Sequence, residues 1–365
     1  MENAELVALS TKNVVPELAN TSSSQKNLAT SAQTGAQTSA ETSETRCFSY
    51  IRDALRKQNI VDESANIIMS SWRKSTKKIY AVYINRWIKF TDKNNFNPLA
   101  PKPANVITFL TSMYNSGLGY SAINTARSAI NQLVHMCSGL DFKYCTVINK
   151  FMKGVFELRP ALPKYNHIWD VQSVLDFIKQ LPSELTLMTL TGKLAVLFLL
   201  LTAQRCQTLH LICLEDIIFV DNKMIIKLNH MLKQSKPGRH PAPLHLNEYS
   251  ADQRLCIVTV FKEYIERTKS LRMNNKLLIG TQKPHKSVTK STVARWIRMF
   301  LNKAGVLEHY TPHSIRTAAA SSANSRGIPL SCILKTAGWQ NARTFNKFYN
   351  KQIVEDHTMQ MCLLD

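Results

Sequence analysis

The chain has 365 residues, 44% of them hydrophobic, and is therefore long enough to form two domains with buried cores. Its net charge of +21 and pI of about 9.7 favour a polyanionic partner, either a nucleic acid or an acidic membrane surface. Its eight cysteines form no Cys-x-x-Cys pair and lack histidines at metal-ligand spacing. This pattern indicates reduced thiols and argues against a disulfide scaffold or a zinc site.

Residues 1–46 are rich in Ser, Thr, Ala, Asn and Gln and contain no aromatic residue. Such a composition cannot bury enough apolar surface to offset the entropy of ordering, and it predicts a disordered N-terminal arm. We expect no signal peptide here, because a charged start followed by an apolar run is missing. The arm has three basic and five acidic side chains, so the remaining chain carries +23. The positive charge belongs to the part that is predicted to fold.

Residues 47–164 show helical periodicity and no strand signal, which predicts a small helical domain. Helices are expected at Thr76–Lys93, Ala104–Ser116 and Ser121–Met136, with Ser121 as the N-cap of the third. The first of these carries apolar residues at steps of three and four, which predicts one buried stripe. The members of that stripe are Ile79, Val82, Tyr83, Trp87 and Phe90.

The same segment is strongly basic, with 17 lysines and arginines against 6 acidic residues. Four of its cations lie just before or within the start of the Thr76–Lys93 helix: Arg73, Lys74, Lys77 and Lys78. A single basic cluster is usually a solvated face. The concentration of cations in one domain favours binding to the phosphates of double-stranded DNA, and these four are the candidate DNA-binding residues.

Pro160 and Pro163 indicate a linker, and beyond it a second domain, residues 165–365, is predicted to be mainly helical. The apolar stretch Leu185–Ala203 contains Lys193 and four threonines, so we interpret it as a buried central helix and expect no membrane association. The expected helices are Asp170–Gln180, Leu185–Thr202, Arg254–Lys269, Ser291–Lys303 and Thr317–Arg326. Ile217–Leu228 and Pro241–Leu246 resemble short strands around a Lys233–His240 turn, which predicts one small antiparallel sheet.

His313 and Arg316 lie three residues apart at a predicted helix N-terminus, where both side chains can project from one face. Free N–H groups and the helix dipole attract an anion there. An arginine offers a planar fork that matches phosphate oxygens, and a histidine can transfer protons near neutral pH. Alone, this His-x-x-Arg pair is a weak signal.

The residues around this pair resemble the tyrosine recombinase, or phage-integrase-like, family. The family pattern is Arg, Lys, His-x-x-Arg, His or Trp, and then Tyr. This sequence contains the corresponding residues in order: Arg205, Lys233, His313, Arg316, Trp339 and Tyr349. The branch it resembles most is that of eukaryotic mobile elements, the DIRS- and Ngaro-type retroelements and the Cryptons. The preceding basic helical segment matches the family's core-binding domain, so the resemblance covers residues 47–365.

Three positions depart from the usual pattern. Trp339 occupies the place usually given to histidine; an indole N–H can donate a hydrogen bond but cannot transfer a proton in this role. Tyr349 follows Trp339 by ten residues where nine is common, and Thr208 stands where an acidic residue often follows the first arginine. Lys236 is the alternative to Lys233 for the hairpin lysine.

The resemblance implies a metal-independent DNA strand transferase that needs no cofactor. Tyr349 would attack the scissile phosphate, Arg205 and Arg316 would hold its oxygens, and Trp339 would hydrogen-bond one of them. Lys233 would be the general acid and His313 would assist the tyrosine. A homotetramer on two DNA sites is implied, with the segment Asn350–Asp365 suited to docking on a neighbouring subunit. The expected location is the nucleus for a eukaryotic protein and the cytoplasm otherwise.

Two other functions fit the same residues. A relaxase similar to type IB topoisomerases would use the same side chains in a monomer. A domesticated DNA-binding protein derived from a mobile element would bind DNA without cutting it. The intact Arg, Lys, His, Arg and Tyr positions favour recombination over the second alternative.

Overall fold

The computed structural model describes residues 48–233, 235–238 and 241–353. The predicted disordered arm, residues 1–46, lies outside the described residues. The chain divides into two compact units, the first ending at Leu162 and the second beginning at Pro163. No helix in the described part of the chain is long and apolar enough to cross a membrane.

The first unit consists of helices, and its described residues contain no strand. Residues 48–57 form α1. The other helices are α2 (Asp62–Ser70), α3 (Lys74–Lys93), α4 (Pro103–Asn115), α5 (Tyr120–Ser138) and α6 (Thr146–Leu158). The fully buried Trp87 of α3 packs against the rings of Phe90, Phe96 and Phe109, and its indole N–H donates to the Pro98 carbonyl. Burial of this aromatic surface together with the aliphatic side chains around it stabilises the unit.

Two details predicted for this unit are wrong. The N-cap of α5 is Gly119, and Ser121 lies inside the helix. In α3 the side chains of Ile79 and Val82 are about half exposed, at 50% and 51%. The buried residues of α3 are Ala81, Ile84, Trp87 and Thr91, so the face that meets the core lies further round the helix than the predicted stripe.

The second unit is built around one central helix. Its helices are α7 (Val171–Gln180), α8 (Leu187–Thr202), α9 (Cys206–Leu211), α10 (Ile257–Thr268), α11 (Lys290–Lys303), α12 (Ser314–Ser325), α13 (Leu330–Ala337) and α14 (Ala342–Phe348). Helix α8 is buried along most of its length and packs against α10, α11 and α12. A Cβ at Gly192 would lie 2.7 Å from the Phe300 side chain, so a glycine permits the close approach of α8 and α11.

Two small sheets complete this unit. Strands β2 (Ile217–Val220), β3 (Lys223–Ile226) and β4 (Leu244–Asn247) form an antiparallel sheet in that order. The predicted strand Ile217–Leu228 is therefore a hairpin of two strands. Strands β1 (His167–Ile168) and β5 (Gln352–Ile353) form a parallel pair, which the sequence did not predict. The protein is mainly α-helical with a small antiparallel sheet, as the sequence predicted.

Candidate active site

Arg316 lies at the centre of a cluster of polar and aromatic side chains in the second unit. It belongs to the first turn of α12 and is only 1% exposed. Its two terminal nitrogens donate hydrogen bonds to the carbonyl oxygens of Ala203 and Ala337, the latter at 2.8 Å. Among the described residues, no carboxylate lies within ion-pair distance of its guanidinium. The side chain is thus a fixed, buried cation without an acidic partner.

Two aromatic rings cover this guanidinium. Its central carbon lies 4.2 Å from the centre of the Trp339 ring and 5.4 Å from that of Tyr349, within the range of cation–π contacts. The two rings are themselves in contact, with centroids 4.5 Å apart. The indole N–H of Trp339 is buried and has no hydrogen-bond partner in the described part of the chain. It can donate a hydrogen bond to an atom outside the described residues.

The hydroxyl of Tyr349 lies 3.2 Å from Nε2 of His313, which is the N-cap residue of α12. Tyr349 directly follows α14, and its backbone is held by a residue that the sequence analysis missed. The Ser321 hydroxyl donates to the Tyr349 carbonyl at 2.6 Å and accepts from the Lys351 N–H at 3.0 Å. One helix, α12, therefore supplies His313 and Arg316 and also positions the backbone of Tyr349.

Arg205 follows the end of α8, where the chain turns sharply. Ala203 has a positive φ of 47°, a left-handed conformation that is unfavourable for a residue with a Cβ. The Ala203 carbonyl accepts a hydrogen bond from Arg316. Arg205, two residues later, is the N-cap residue of α9 and is half-buried. The charge of Arg205 contributes to lowering the pKa of both His313 and Arg316, so it belongs to the same cluster.

The two candidate lysines differ in their relation to this cluster. Lys233 lies in an exposed turn, and its charge is among those that lower the pKa of His313. Lys236 is also exposed, but it is not among the groups that act on His313. This difference favours Lys233 as the lysine of the site.

Burial and positive charge both act on the titratable groups here. Burial lowers the pKa of His313, and the neighbouring charges of Arg316, Arg205 and Lys233 lower it further. Both effects favour the neutral imidazole, which can accept a proton. Burial is also the main cause that lowers the pKa of Arg316 to about 10, with Arg205 adding to it. The site is therefore short of negative charge, which makes it suited to an anion such as a phosphate.

Thr208, which stands where the family often has an acidic residue, is linked to α13 through the side chain of Gln204. Its hydroxyl donates to the side-chain oxygen of Gln204 at 3.2 Å, and the Gln204 amide donates to the Thr336 carbonyl at 2.8 Å. Gln204 thus joins α9 to the end of α13, next to the Ala337 carbonyl that holds Arg316. Neutral hydrogen bonds connect these elements without adding a negative charge.

The four candidate DNA-binding residues lie in the first unit, at the start of α3. Arg73 is the N-cap residue of that helix, and Lys74 and Lys78 are exposed on its first turns. Lys77 is half-buried. Helix α3 has no acidic residue in its first turn, so this end of it is a positively charged surface.

Comparisons with known proteins agree with this architecture. The model of the phage integrase family matches residues 170–355. The chain is similar in structure to the XerH site-specific recombinase bound to palindromic difH substrate in a post-cleavage complex, with a TM-score of 0.55, 14% identity and coverage of 84% of this chain and 89% of that chain.

A second similar structure is that of the Tn1549 transposon integrase in complex with transposon right end DNA. Here the TM-score is 0.53 and the identity 15%, and the match covers 87% of this chain and 97% of that chain. No curated protein sequence matches the chain. At these identities the structural likeness shows the fold, and the family match covers the segment that contains the site.

Proposed function

Because the chain belongs to the phage integrase family of tyrosine recombinases, we propose that it cleaves and rejoins DNA strands at specific sites through a covalent bond to Tyr349. One observation carries the proposal. The hydroxyl of Tyr349 lies at hydrogen-bond distance from His313 and beside Arg316, a buried cation that no carboxylate of the described residues pairs with. A nucleophile, a proton acceptor and an anion-binding group thus meet at one point.

In the cleavage step, the Tyr349 oxygen bonds to the scissile phosphorus and the bond from phosphorus to the 5′-oxygen breaks. The tyrosine proton moves to the neutral imidazole of His313, and the leaving 5′-oxygen takes a proton from Lys233. The products are a 3′-phosphotyrosyl link and a free 5′-hydroxyl. Attack by the 5′-hydroxyl of another strand reverses these bond changes and joins the DNA in a new arrangement.

Arg316 and Arg205 would hold the non-bridging oxygens of the phosphate and stabilise the charge that develops on them. The carbonyls of Ala203 and Ala337 fix the Arg316 guanidinium before DNA binds, so little reorganisation is needed during the reaction. The indole N–H of Trp339, which has no partner among the described residues, is suited to donate to a phosphate oxygen. With two arginines in these roles, the reaction needs no divalent ion at the phosphate.

We also propose that the chain is related to the recombinases of DIRS, Ngaro and Crypton elements, which implies a nuclear location. The proposal further includes a homotetramer on two DNA sites and binding of duplex DNA by the basic start of α3. The alternatives are relaxation of supercoiled DNA by a monomer and DNA binding without cleavage. Relaxation without exchange between two sites would favour the first of these.

The test is capture of the covalent intermediate. A binding site is first selected from random duplexes with the Tyr349→Phe protein, which loses one oxygen and little volume. A nicked substrate made from that site loses its short 5′-hydroxyl fragment on cleavage, so rejoining stalls and any adduct accumulates. We expect a denaturant-stable protein–DNA adduct joined through a 3′-phosphate with the parent protein.

The matched control is Tyr249→Phe, which changes an exposed tyrosine of the same unit away from the cluster. This variant should form the adduct as the parent does, whereas Tyr349→Phe should form none. If the Tyr349→Phe protein still forms the adduct, the nucleophile lies elsewhere and the proposal fails. If the parent protein binds the selected site but forms no adduct, the non-catalytic alternative holds.

A further inference from the structure

Three side chains with metal-binding atoms converge at the base of the β2–β3 hairpin, outside the site described above. They are Cys213, Asp216 and His230, and their ligand atoms all lie within 4.8 Å of one another. Sγ of Cys213 lies 3.5 Å from Nε2 of His230, and the same nitrogen lies 3.6 Å from Oδ2 of Asp216. They meet because the hairpin pairs Ile217 with Ile226, which brings the segments on either side of it together.

These separations fit a tetrahedral zinc ion. Zinc binds thiolate sulfur at about 2.3 Å and imidazole nitrogen or carboxylate oxygen at about 2.0–2.2 Å. With tetrahedral angles, those lengths place sulfur and nitrogen about 3.5 Å apart, and nitrogen and oxygen about 3.4 Å apart. The observed separations of 3.5 and 3.6 Å match these two values, and the sulfur and the carboxylate oxygen lie within 4.8 Å of each other. A thiolate, an imidazole and a carboxylate form a donor set that zinc commonly takes.

The surroundings hold the ligands in place and leave a route for the ion. The side chains of Cys213 and Asp216 are buried, while that of His230 is 38% exposed, so an ion can enter from the histidine side. The carboxylate of Asp216 is oriented by hydrogen bonds from the Cys213 N–H and from the Asn229 side chain, both at 2.9 Å. Such outer hydrogen bonds are typical of sites that orient metal ligands.

A cation already lies against the sulfur. The ammonium of Lys276 is 3.2 Å from Sγ of Cys213 and 3.3 Å from the Leu211 carbonyl. The ammonium repels a second cation, so this lysine must move away from the sulfur before an ion binds there. Because a lysine side chain is long and half-buried here, it can withdraw when an ion binds, and it would compete with that ion.

We propose that Cys213, Asp216 and His230 bind one Zn²⁺ ion, with water as the fourth ligand. Cys213 binds as the thiolate, so its proton is released to solvent on binding. The three ligands do not follow a known metal-binding spacing in the sequence, and the sequence therefore predicted no zinc site. His230 precedes Lys233 by only three residues, so the ion would fix the start of the segment that carries this lysine. The inference is independent of the proposed strand-transfer function.

The test uses the full chain without DNA, stripped of metal and kept reduced, and titrated with Co²⁺ as a spectroscopic substitute for Zn²⁺. We expect one ion per chain, a thiolate-to-cobalt charge-transfer band with the visible bands of tetrahedral cobalt, and loss of both on addition of Zn²⁺. Cys213→Ser should abolish the charge-transfer band and His230→Ala should weaken binding at least tenfold. The matched controls Cys256→Ser and His245→Ala change the same residue types on and beside the same sheet and should bind as the parent does.

Lys276→Met keeps the test decisive if the Cys213 variant folds poorly. Removal of the competing ammonium should tighten Co²⁺ binding, by about tenfold or more. If the cluster is only a hydrogen-bond network, the parent protein shows no charge-transfer band and the proposal is overturned. Weaker Co²⁺ binding by Lys276→Met, or equal loss of the band with Cys256→Ser, would also overturn it. The Tyr349→Phe protein should bind Co²⁺ normally, which separates this result from the strand-transfer proposal.

Discussion

The buried Arg316 predicts that a small anion stabilises the folded protein. Burial lowers its pKa to about 10, so the charged form carries an unfavourable desolvation free energy in the folded state. For a base with a lowered pKa, this cost is fully present at pH values below the lowered pKa of about 10 and is lost as the pH rises above it. The folded protein therefore carries the whole cost at neutral pH, and an anion at the guanidinium should offset part of it.

We expect inorganic phosphate to raise the unfolding midpoint of the parent protein more than that of Arg316→Met. At a phosphate concentration ten times the dissociation constant, the stabilisation is about 1.4 kcal/mol. For a domain of this size, that free energy corresponds to a rise of roughly 3–6 °C. Each protein is compared in phosphate and in chloride at the same ionic strength, so a change in the starting stability of the variant cancels.

The control is Arg326→Met, which removes an exposed arginine from the other end of α12. It should keep the phosphate effect of the parent protein, because an exposed guanidinium carries little desolvation cost. Arg316→Lys should retain only part of the effect, since a compact ammonium lacks the planar fork that reaches both carbonyls and leaves further N–H groups for a phosphate. An equal rise in midpoint for Arg316→Met and the parent would refute the reasoning, because the phosphate would then bind elsewhere.

Three further predictions concern the reaction and DNA binding. Because burial and three cations lower the pKa of His313, the acid limb of kcat/KM for cleavage should lie below pH 6.5; a limb above that value would contradict the assignment. On a substrate with sulfur as the 5′-bridging atom, Lys233→Ala should be strongly rescued while Lys236→Ala behaves as the parent, and the opposite result would exchange their roles. Charge reversal at Lys74 and Lys78 should reduce the slope of log affinity against log salt by about 0.9 for each lost phosphate contact, without changing sequence preference; an unchanged slope would remove them from the interface.

The parts of the fold that the sequence predicts well are those with a strong local signal. The run from Leu185 to Ala203 predicts a buried helix because it is apolar on every side, and α8 is buried in the structure. The series of candidate residues from Arg205 to Tyr349 can also be recognised in the sequence, since it is defined by residue types and their order in the chain. The distance of 3.2 Å between His313 and Tyr349 is not visible, because it depends on how α12 and α14 pack.

The features that the sequence missed depend on contacts between distant segments. Ser321 holds the backbone of Tyr349 across 28 residues, and nothing in the local sequence distinguishes it from the adjacent Ser322. The β2–β3 hairpin is an exception, because a signal was present. Its turn contains Asp221, which has a positive φ of 48° and is followed by an asparagine, a pair that suits a tight hairpin turn. Attention to that dipeptide would have divided the predicted strand in two.

The buried charge of Arg316 indicates a functional role for this residue, because folding alone does not require a charge at this position. A buried ion pair can often be replaced by apolar residues without loss of stability, so folding alone does not require an arginine here. Among the described residues, carbonyl oxygens and no carboxylate contact Arg316, and the turn at Ala203 is held in an unfavourable conformation. An internal carboxylate at this position would occupy the place of a phosphate. Under the proposed function, a phosphate of the DNA backbone supplies the negative charge at Arg316, and DNA binding offsets the desolvation cost of its guanidinium.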